Sequence, residues 1–183
     1  MKTKPSCWII KHIGLIPNSG TVLDLACGNG RHTRIFLEHG CSVTAIDQDI
    51  SGVSDLNDRA KLTVHALDLE NRSQWPFAGD RFSAIIVTNY LYRPLFPTII
   101  EALAPGGILL YETFASGNES LGRPRNPKHL LVEGELLSAV MKHLHVVAYQ
   151  HGKVNSPRPA VIQRICAVRL RETDITPAFP LDE

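Results

Sequence analysis

The sequence has little that would mark a secreted, metal-bound or strongly charged protein. Its four cysteines, Cys7, Cys27, Cys41 and Cys166, are scattered and form no C-x-x-C, so neither a zinc module nor a disulfide framework is expected. Reduced thiols in a cytoplasmic setting are the simpler expectation. Charge of neither sign dominates: 19 Lys and Arg face 18 Asp and Glu, a net charge of +1. That balance lacks the basic footprint of a nucleic-acid or membrane-surface binder. No window approaches the ~18 to 20 continuous apolar residues of a membrane span. Lys11 and His12 interrupt the apolar N-terminal stretch and no small-x-small site follows, so it does not read as a secretory signal. His143 and His145 have no third ligand nearby in sequence, so no metal centre is expected. Internal repeats and low-complexity segments are also missing.

What is present is a chain of 183 residues, 44% hydrophobic, long enough for one well-buried core. A single domain over 1–171 is expected, with 172–183 as a polar, proline-containing tail. Residues 6–14 read as a short amphipathic helix. From there strands and helices alternate: "TVLDL" (21–25) as a buried strand, 31–40 as a helix stopped by Gly40, and 41–47 as a second strand. A weak helix over 50–59, strands at 61–69 and 81–89, and a helix opened by Pro94 and Pro97 and ending near Ala104 come next. "GILLYETF" (107–114) reads as strand five and 133–143 as a helix with one apolar face. The last two apolar runs, joined through Pro157 and Pro159, fit an antiparallel pair at one sheet edge.

This alternation predicts an α/β fold: a doubly wound, Rossmann-like, seven-stranded sheet, mostly parallel with an antiparallel C-terminal strand. Ligands of such sheets bind outside the carboxyl ends of the strands. Asp24, Asp47, Asp68, Asn89 and Glu112 all fall at those ends.

The first of these ends carries "DLACGNGRH" (24–32). Gly28 and Gly30 let the backbone turn tightly and approach a ligand, and the helix behind them offers free N–H groups. A P-loop is excluded because no Gly-Lys-Ser/Thr follows. A dinucleotide fingerprint fits poorly, because Thr33 stands at the third glycine position and Asp24 would repel a pyrophosphate while attracting an ammonium. Asp47, at the end of strand two, is placed to accept from ribose hydroxyls. A ribose, an amino group and a carboxylate without phosphate describe S-adenosylmethionine.

"VLDLACGNG" resembles the first motif of the class I S-adenosylmethionine-dependent methyltransferases, with Ala26 in place of the motif's first glycine. The likeness continues through "AIDQD" (45–49), "ALDLE" (66–70), "FSAIIVTNYL" (82–91) and "LAPGGILLYETF" (103–114). Within the family the chain is loosely similar to small stand-alone bacterial members, including the tellurite-resistance type. The resemblance implies that Asp24 and the backbone around Ala26, Gly28 and Gly30 hold the methionine part, and that Asp47, with Gln48 beside it, takes the ribose. It further implies that Asp68 accepts from the adenine amino group, that Leu69 packs on the ring, and that Asn89, Tyr90 and Leu91 border donor methyl and acceptor.

Methyl transfer from an activated sulfonium needs orientation and desolvation more than a dedicated base. Tyr90, Tyr92 and Glu112 are the polar groups expected to orient an acceptor or take its proton. His32 reads as a helix-surface residue. The segment 115–134 is long and aperiodic, which suggests a lid or acceptor loop, and Arg123, Arg125 and Lys128 within it hint at an anionic small-molecule acceptor. Three other readings stay open: a methyltransferase acting on RNA or protein, a non-catalytic S-adenosylmethionine-binding module, and, disfavoured by Asp24 and Thr33, a nicotinamide-dependent oxidoreductase.

Overall fold

The computed structural model describes residues 4–71, 75–77 and 79–174. Seven strands form one sheet: β1 (Thr21–Leu25), β2 (Ser42–Asp47), β3 (Leu62–Ala66), β4 (Phe82–Thr88), β5 (Leu103–Phe114), β6 (His145–Val154) and β7 (Ala160–Val168). Their spatial order is β3-β2-β1-β4-β5-β7-β6. The pairs among β1 to β5 are parallel, and β7 runs antiparallel to both β5 and β6. The sheet therefore has the expected doubly wound form, and the order reverses between β1 and β4, where a crevice opens at the strand ends.

Residues of β4 and β5 alternate between two apolar layers, as the two-residue period of a strand requires. Ile85, Val87, Leu109 and Tyr111 face α3 (Phe96–Ala102) and α4 (Glu135–Val140), while Ala84, Ile86, Ile108 and Leu110 face α1 (Cys7–His12) and α2 (Arg31–Glu38). Helices cover both faces, which is why the central strands read as continuous apolar runs.

Two local expectations change. The segment 50–59 forms a 3₁₀ turn over Ile50–Leu56 rather than an α-helix. Gly52 lies so close to the glycine turn that a side-chain carbon there would meet the Gly28 carbonyl oxygen at 2.6 Å, so packing sets this backbone. His32 is buried, not on the surface; its Nε2 accepts from the Ser6 backbone N–H at 3.1 Å. That contact ties α1 to α2, and burial together with the neighbouring Arg31 charge lowers the His32 pKa to about 3.

The segment 115–134 is held down. Asn118, 1% exposed, receives the Val161 N–H on its amide oxygen at 3.3 Å and donates to the Pro124 carbonyl at 3.1 Å. Arg93 donates to both carboxylate oxygens of Glu135, at 2.6 and 2.9 Å, and to the carbonyls of Lys128 and Leu130 at 2.8 and 2.9 Å. Of the 172–183 tail, residues 175–183 lie outside the described part of the chain. Among the described residues no helix is long and apolar enough to cross a membrane.

Candidate functional site

The loop after β1 turns through three left-handed positions in alternation: Ala26 (φ 55°), Gly28 (φ 51°) and Gly30 (φ 65°). Glycine adopts this region freely, whereas an alanine there is strained by roughly 1 kcal/mol. Ala26 therefore occupies a glycine conformation at the position where the motif it resembles has glycine. The two glycines differ in purpose. A side-chain carbon on Gly30 would strike Val53 Cγ1 at 2.4 Å, so Gly30 is required by packing; one on Gly28 would meet nothing within 4 Å. Gly28 is kept bare toward open space.

That space is a cavity of about 680 Å³ at the carboxyl ends of β1 to β4. Its walls include Ala26, Gly28, Asp47, Gln48, Asp68, Leu69, Asn89 and Tyr90, eight of the residues expected from sequence. Asp47 serves both sides of the crevice, with Oδ2 accepting the Gly28 N–H at 2.8 Å and Oδ1 the Asp49 N–H at 3.1 Å. It thereby locks the end of β2 to the glycine turn. Asp68 accepts the Glu70 N–H at 2.9 Å, shaping the turn after β3.

The remaining expected residues sit elsewhere. Asp24 is 2% exposed and does not line the cavity; its Oδ2 accepts both the backbone N–H and the hydroxyl of Thr33, at 2.8 and 2.6 Å. Gly30 is likewise behind the wall, and Leu91 lines a smaller neighbouring pocket. Tyr92 donates its hydroxyl to the Glu70 carbonyl at 3.2 Å and lines a pocket on the α3 side. Glu112 shares strand parity with Ile108 and Leu110, so it faces the α1 side, where it pairs with Arg164 at 3.4 Å. Neither Tyr92 nor Glu112 lines the cavity, and of the three sequence-derived catalytic candidates only Tyr90 does.

Tyr90 also lines the adjoining 250 Å³ pocket, together with Leu91, Thr113, Phe114, Pro124 and His129. Its backbone is fixed from below by Tyr111, whose buried hydroxyl donates to the Tyr90 carbonyl at 2.9 Å. The Tyr90 hydroxyl itself is buried and, among the described residues, has no hydrogen-bond partner. Burial, and after it the Glu70 and Asp68 charges, push its pKa well above the usual phenol value. It remains a neutral O–H, able to donate and to accept.

Sequence reasoning missed four polar lining residues: Asn29, Arg31, Glu70 and Thr88. Arg31, the first residue of α2, donates to the Thr88 hydroxyl at 3.3 Å. Its position directly behind the glycine turn was the available signal. The cavity wall thus sets three carboxylates, Asp47, Asp68 and Glu70, against one guanidinium, a balance that favours a cationic ligand over a phosphate. Cys27 lines it too, but burial and then the Asp24 and Asp47 charges push its thiol pKa up to about 12, so it is no nucleophile near neutral pH.

The sheet order, the glycine turn and the acid at the end of β2 are those of a doubly wound, Rossmann-like α/β domain with a ligand crevice at its switch point. Residues 22–107 match the family model described as a methyltransferase domain. A candidate methyltransferase of Bacillus subtilis (strain 168), YqeM, is 30% identical over 112 residues, 55% of this chain and 45% of the relative. The chain therefore spans less than half the length of that relative. Among solved structures, TehB from Haemophilus influenzae superposes with a TM-score of 0.75 at 18% identity, covering 93% of this chain and 64% of TehB. The Burkholderia thailandensis 1,6-didemethyltoxoflavin-N1-methyltransferase, solved with 1,6-didemethyltoxoflavin and S-adenosylhomocysteine bound, gives 0.67 at 21% identity over 90% of this chain and 76% of its own. At these identities the structural likeness establishes the fold.

Proposed function

We propose that the protein binds S-adenosylmethionine in the 680 Å³ cavity and transfers its methyl group to a small-molecule acceptor that reaches it from the Tyr90 side. The observation that carries this reading is that Tyr90, whose buried hydroxyl has no partner among the described residues, lines both the cavity and the 250 Å³ pocket. An orphaned buried hydroxyl is destabilising by about 1–3 kcal/mol unless a ligand completes it.

The residues present fit the cofactor. Gly28 leaves the backbone open, Asp47 and Asp68 offer carboxylates for ribose hydroxyls and an adenine amino group, and Leu69 offers an apolar surface for a ring. Arg31 offers a cation for the amino-acid carboxylate, while the excess of acids suits the sulfonium and ammonium charges. When bound, S-adenosylmethionine supplies a methyl group already activated by its sulfonium. The chain's own contribution is orientation in a partly dehydrated space. Asn89, Tyr90 and Glu70 line both cavity and pocket, so they touch whatever lies between them. Tyr90, held neutral, donates a hydrogen bond to the acceptor, and Glu70 is the titratable group positioned to receive a proton the acceptor releases.

The domain is a single body from 4 to 174 in this reading, with 115–134 as a fixed wall of the acceptor pocket through Pro124 and His129. Incubation with methyl-labelled S-adenosylmethionine and a metabolite extract should yield labelled product in the small-molecule fraction. Label only in RNA or protein would replace the acceptor class; binding of cofactor with no labelled product would favour a non-catalytic module.

A further inference from the structure

Thr88, the last residue of β4, lines the cofactor cavity and shares strand parity with Ala84 and Ile86, on the sheet face toward α1 and α2. Its hydroxyl oxygen meets two nitrogens. One is Nη2 of Arg31, which also lines the cavity, at 3.3 Å; the other is Nδ1 of His32, buried behind the wall, at 3.4 Å. The second ring nitrogen of His32, Nε2, accepts the Ser6 backbone N–H at 3.1 Å. These four groups join the start of α1, the start of α2 and the end of β4.

The directions of these bonds follow from what each group can do. A backbone N–H only donates, so His32 Nε2 carries a lone pair. Burial, and after it the Arg31 charge, lower the His32 pKa to about 3, so near neutral pH the ring holds a single proton. That proton is therefore on Nδ1 and is donated to Thr88. A guanidinium also only donates. Both lone pairs of the Thr88 oxygen are thereby taken, and its own proton needs an acceptor elsewhere. Among the described residues it has none: Glu112, its register neighbour on β5, is paired instead with Arg164 at 3.4 Å. Arg31 is incomplete in the same way. It donates only to the neutral oxygens of Thr88 and Lys4, at 3.3 and 3.4 Å, and forms no ion pair among the described residues. A hydroxyl proton and a guanidinium, side by side on one cavity wall and both short of an acceptor, suit an anion.

We propose that Thr88 donates its hydroxyl proton to the carboxylate of the bound cofactor, beside Arg31, and that His32, fixed by Ser6, is the positioning residue that turns this proton toward the cavity. The inference rests on the methyltransferase reading above. It adds the residues that make the site select a ligand carrying the carboxylate. A phosphate would meet the same two donors, but Asp47, Asp68 and Glu70 on the same cavity oppose its further negative charge.

The test uses the full chain and two ligands, S-adenosylhomocysteine and its decarboxylated analogue, which keeps the ammonium and lacks only the carboxylate. Calorimetry on the wild type comes first. If neither ligand binds, the methyltransferase reading and this inference fall together. The wild type should bind S-adenosylhomocysteine about tenfold or more tightly than the analogue; equal affinities overturn the inference and leave the cofactor reading in place. Thr88→Val should weaken S-adenosylhomocysteine about tenfold while the analogue binds as it does to wild type, and Thr88→Ser should bind both ligands as wild type does. A fall that is equal for both ligands, or no fall, would assign the hydroxyl to the fold and overturn the inference alone. The His32 tautomer is read without any variant, from long-range nitrogen–proton correlation spectra of the wild-type ring near neutral pH. They should place the proton on Nδ1, with and without S-adenosylhomocysteine. A proton on Nε2 would make Nδ1 an acceptor for the Thr88 hydroxyl, and the inference would be overturned with the fold intact.

Discussion

One oxygen of Asp24 holds Thr33 twice, through its backbone N–H at 2.8 Å and its hydroxyl at 2.6 Å. Through that oxygen the carboxylate satisfies a free amide in the first turn of α2 and meets the positive end of the helix. Burial nevertheless dominates: it raises the Asp24 pKa from 3.8 to about 6, against the two Thr33 bonds and the Arg31 charge, which lower it.

A pH dependence follows. Between about pH 4 and about pH 6 the folded state retains a proton that the unfolded chain has released, so the group's contribution is fully present below about pH 4. It is lost as pH rises through about 6, a change of order 1–3 kcal/mol. Asp24→Asn cannot titrate, so its stability relative to wild type should rise across that window and level off above it. Urea denaturation of both proteins at a series of pH values measures this, and parallel profiles would refute it.

Gly28 and Gly30 should fail differently. Gly30→Ala drives a methyl into Val53 at 2.4 Å at a positive φ, so a loss of about 2–4 kcal/mol and a lowered Tm are expected. Gly28→Ala meets no atom within 4 Å, so its stability should fall only by the roughly 1 kcal/mol of left-handed strain. Its S-adenosylhomocysteine affinity should nevertheless drop at least tenfold in calorimetry, because the added methyl points into the space the ligand needs. Wild-type affinity in Gly28→Ala would move the ligand away from the turn.

How much of this was legible follows from what a strand reveals about itself. Apolar runs such as "AIIV" announce a strand buried on both faces, so the sheet and its helices were readable, and the acids at 47 and 68 could be assigned to strand ends. Parity was not readable: Glu112 and Tyr111 are adjacent, yet one faces α1 and pairs with Arg164 while the other lies under Tyr90. Nothing in "YETF" states which face borders the crevice. Glu70 and Arg31 were missed because their role depends on where two turns meet, a tertiary fact. The α-helix expected over 50–59 became a 3₁₀ turn because contact with the Gly28 loop, not helical period, sets that backbone.

Removing the Tyr90 hydroxyl should separate stability from function. Because that hydroxyl has no partner among the described residues, Tyr90→Phe should leave the protein as stable as wild type or more stable by up to about 1–3 kcal/mol. The same change should reduce turnover with the acceptor, by tenfold or more in kcat/KM, while S-adenosylhomocysteine affinity changes little. A destabilised Tyr90→Phe with unaltered turnover would show that the hydroxyl serves the fold instead.

Arg93 should act on the acceptor wall. It joins the start of α3 to Glu135 and to two carbonyls of 115–134. Burial pushes the Glu135 carboxyl up, but the Arg93 guanidinium and the Val132 N–H outweigh it and hold its pKa below the usual range. The pair is partly exposed, with side-chain exposures of 39% and 20%, so Arg93→Ala should lower stability by only about 1–2 kcal/mol. The loss should be concentrated locally: amide exchange should accelerate at Leu130 and Leu131, with the β1 and β4 amides unchanged. Uniform acceleration across the sheet would mean that the segment is not a separately anchored wall.

Replacing Glu70 should tell whether the acceptor is deprotonated during transfer. It borders both the cofactor cavity and the acceptor pocket, and its backbone is already fixed by Asp68 through its N–H and by Tyr92 through its carbonyl. Its side chain is therefore free of that structural work, and Glu70→Gln should fold and melt as wild type. If the carboxylate takes a proton from the acceptor, the variant falls about 10²-fold or more in kcat. If the acceptor atom carries a lone pair that needs no deprotonation, kcat holds and only KM shifts. The two results distinguish a protonated acceptor, such as a hydroxyl or thiol, from a free amine or carboxylate, and so identify the acceptor atom class by kinetics alone.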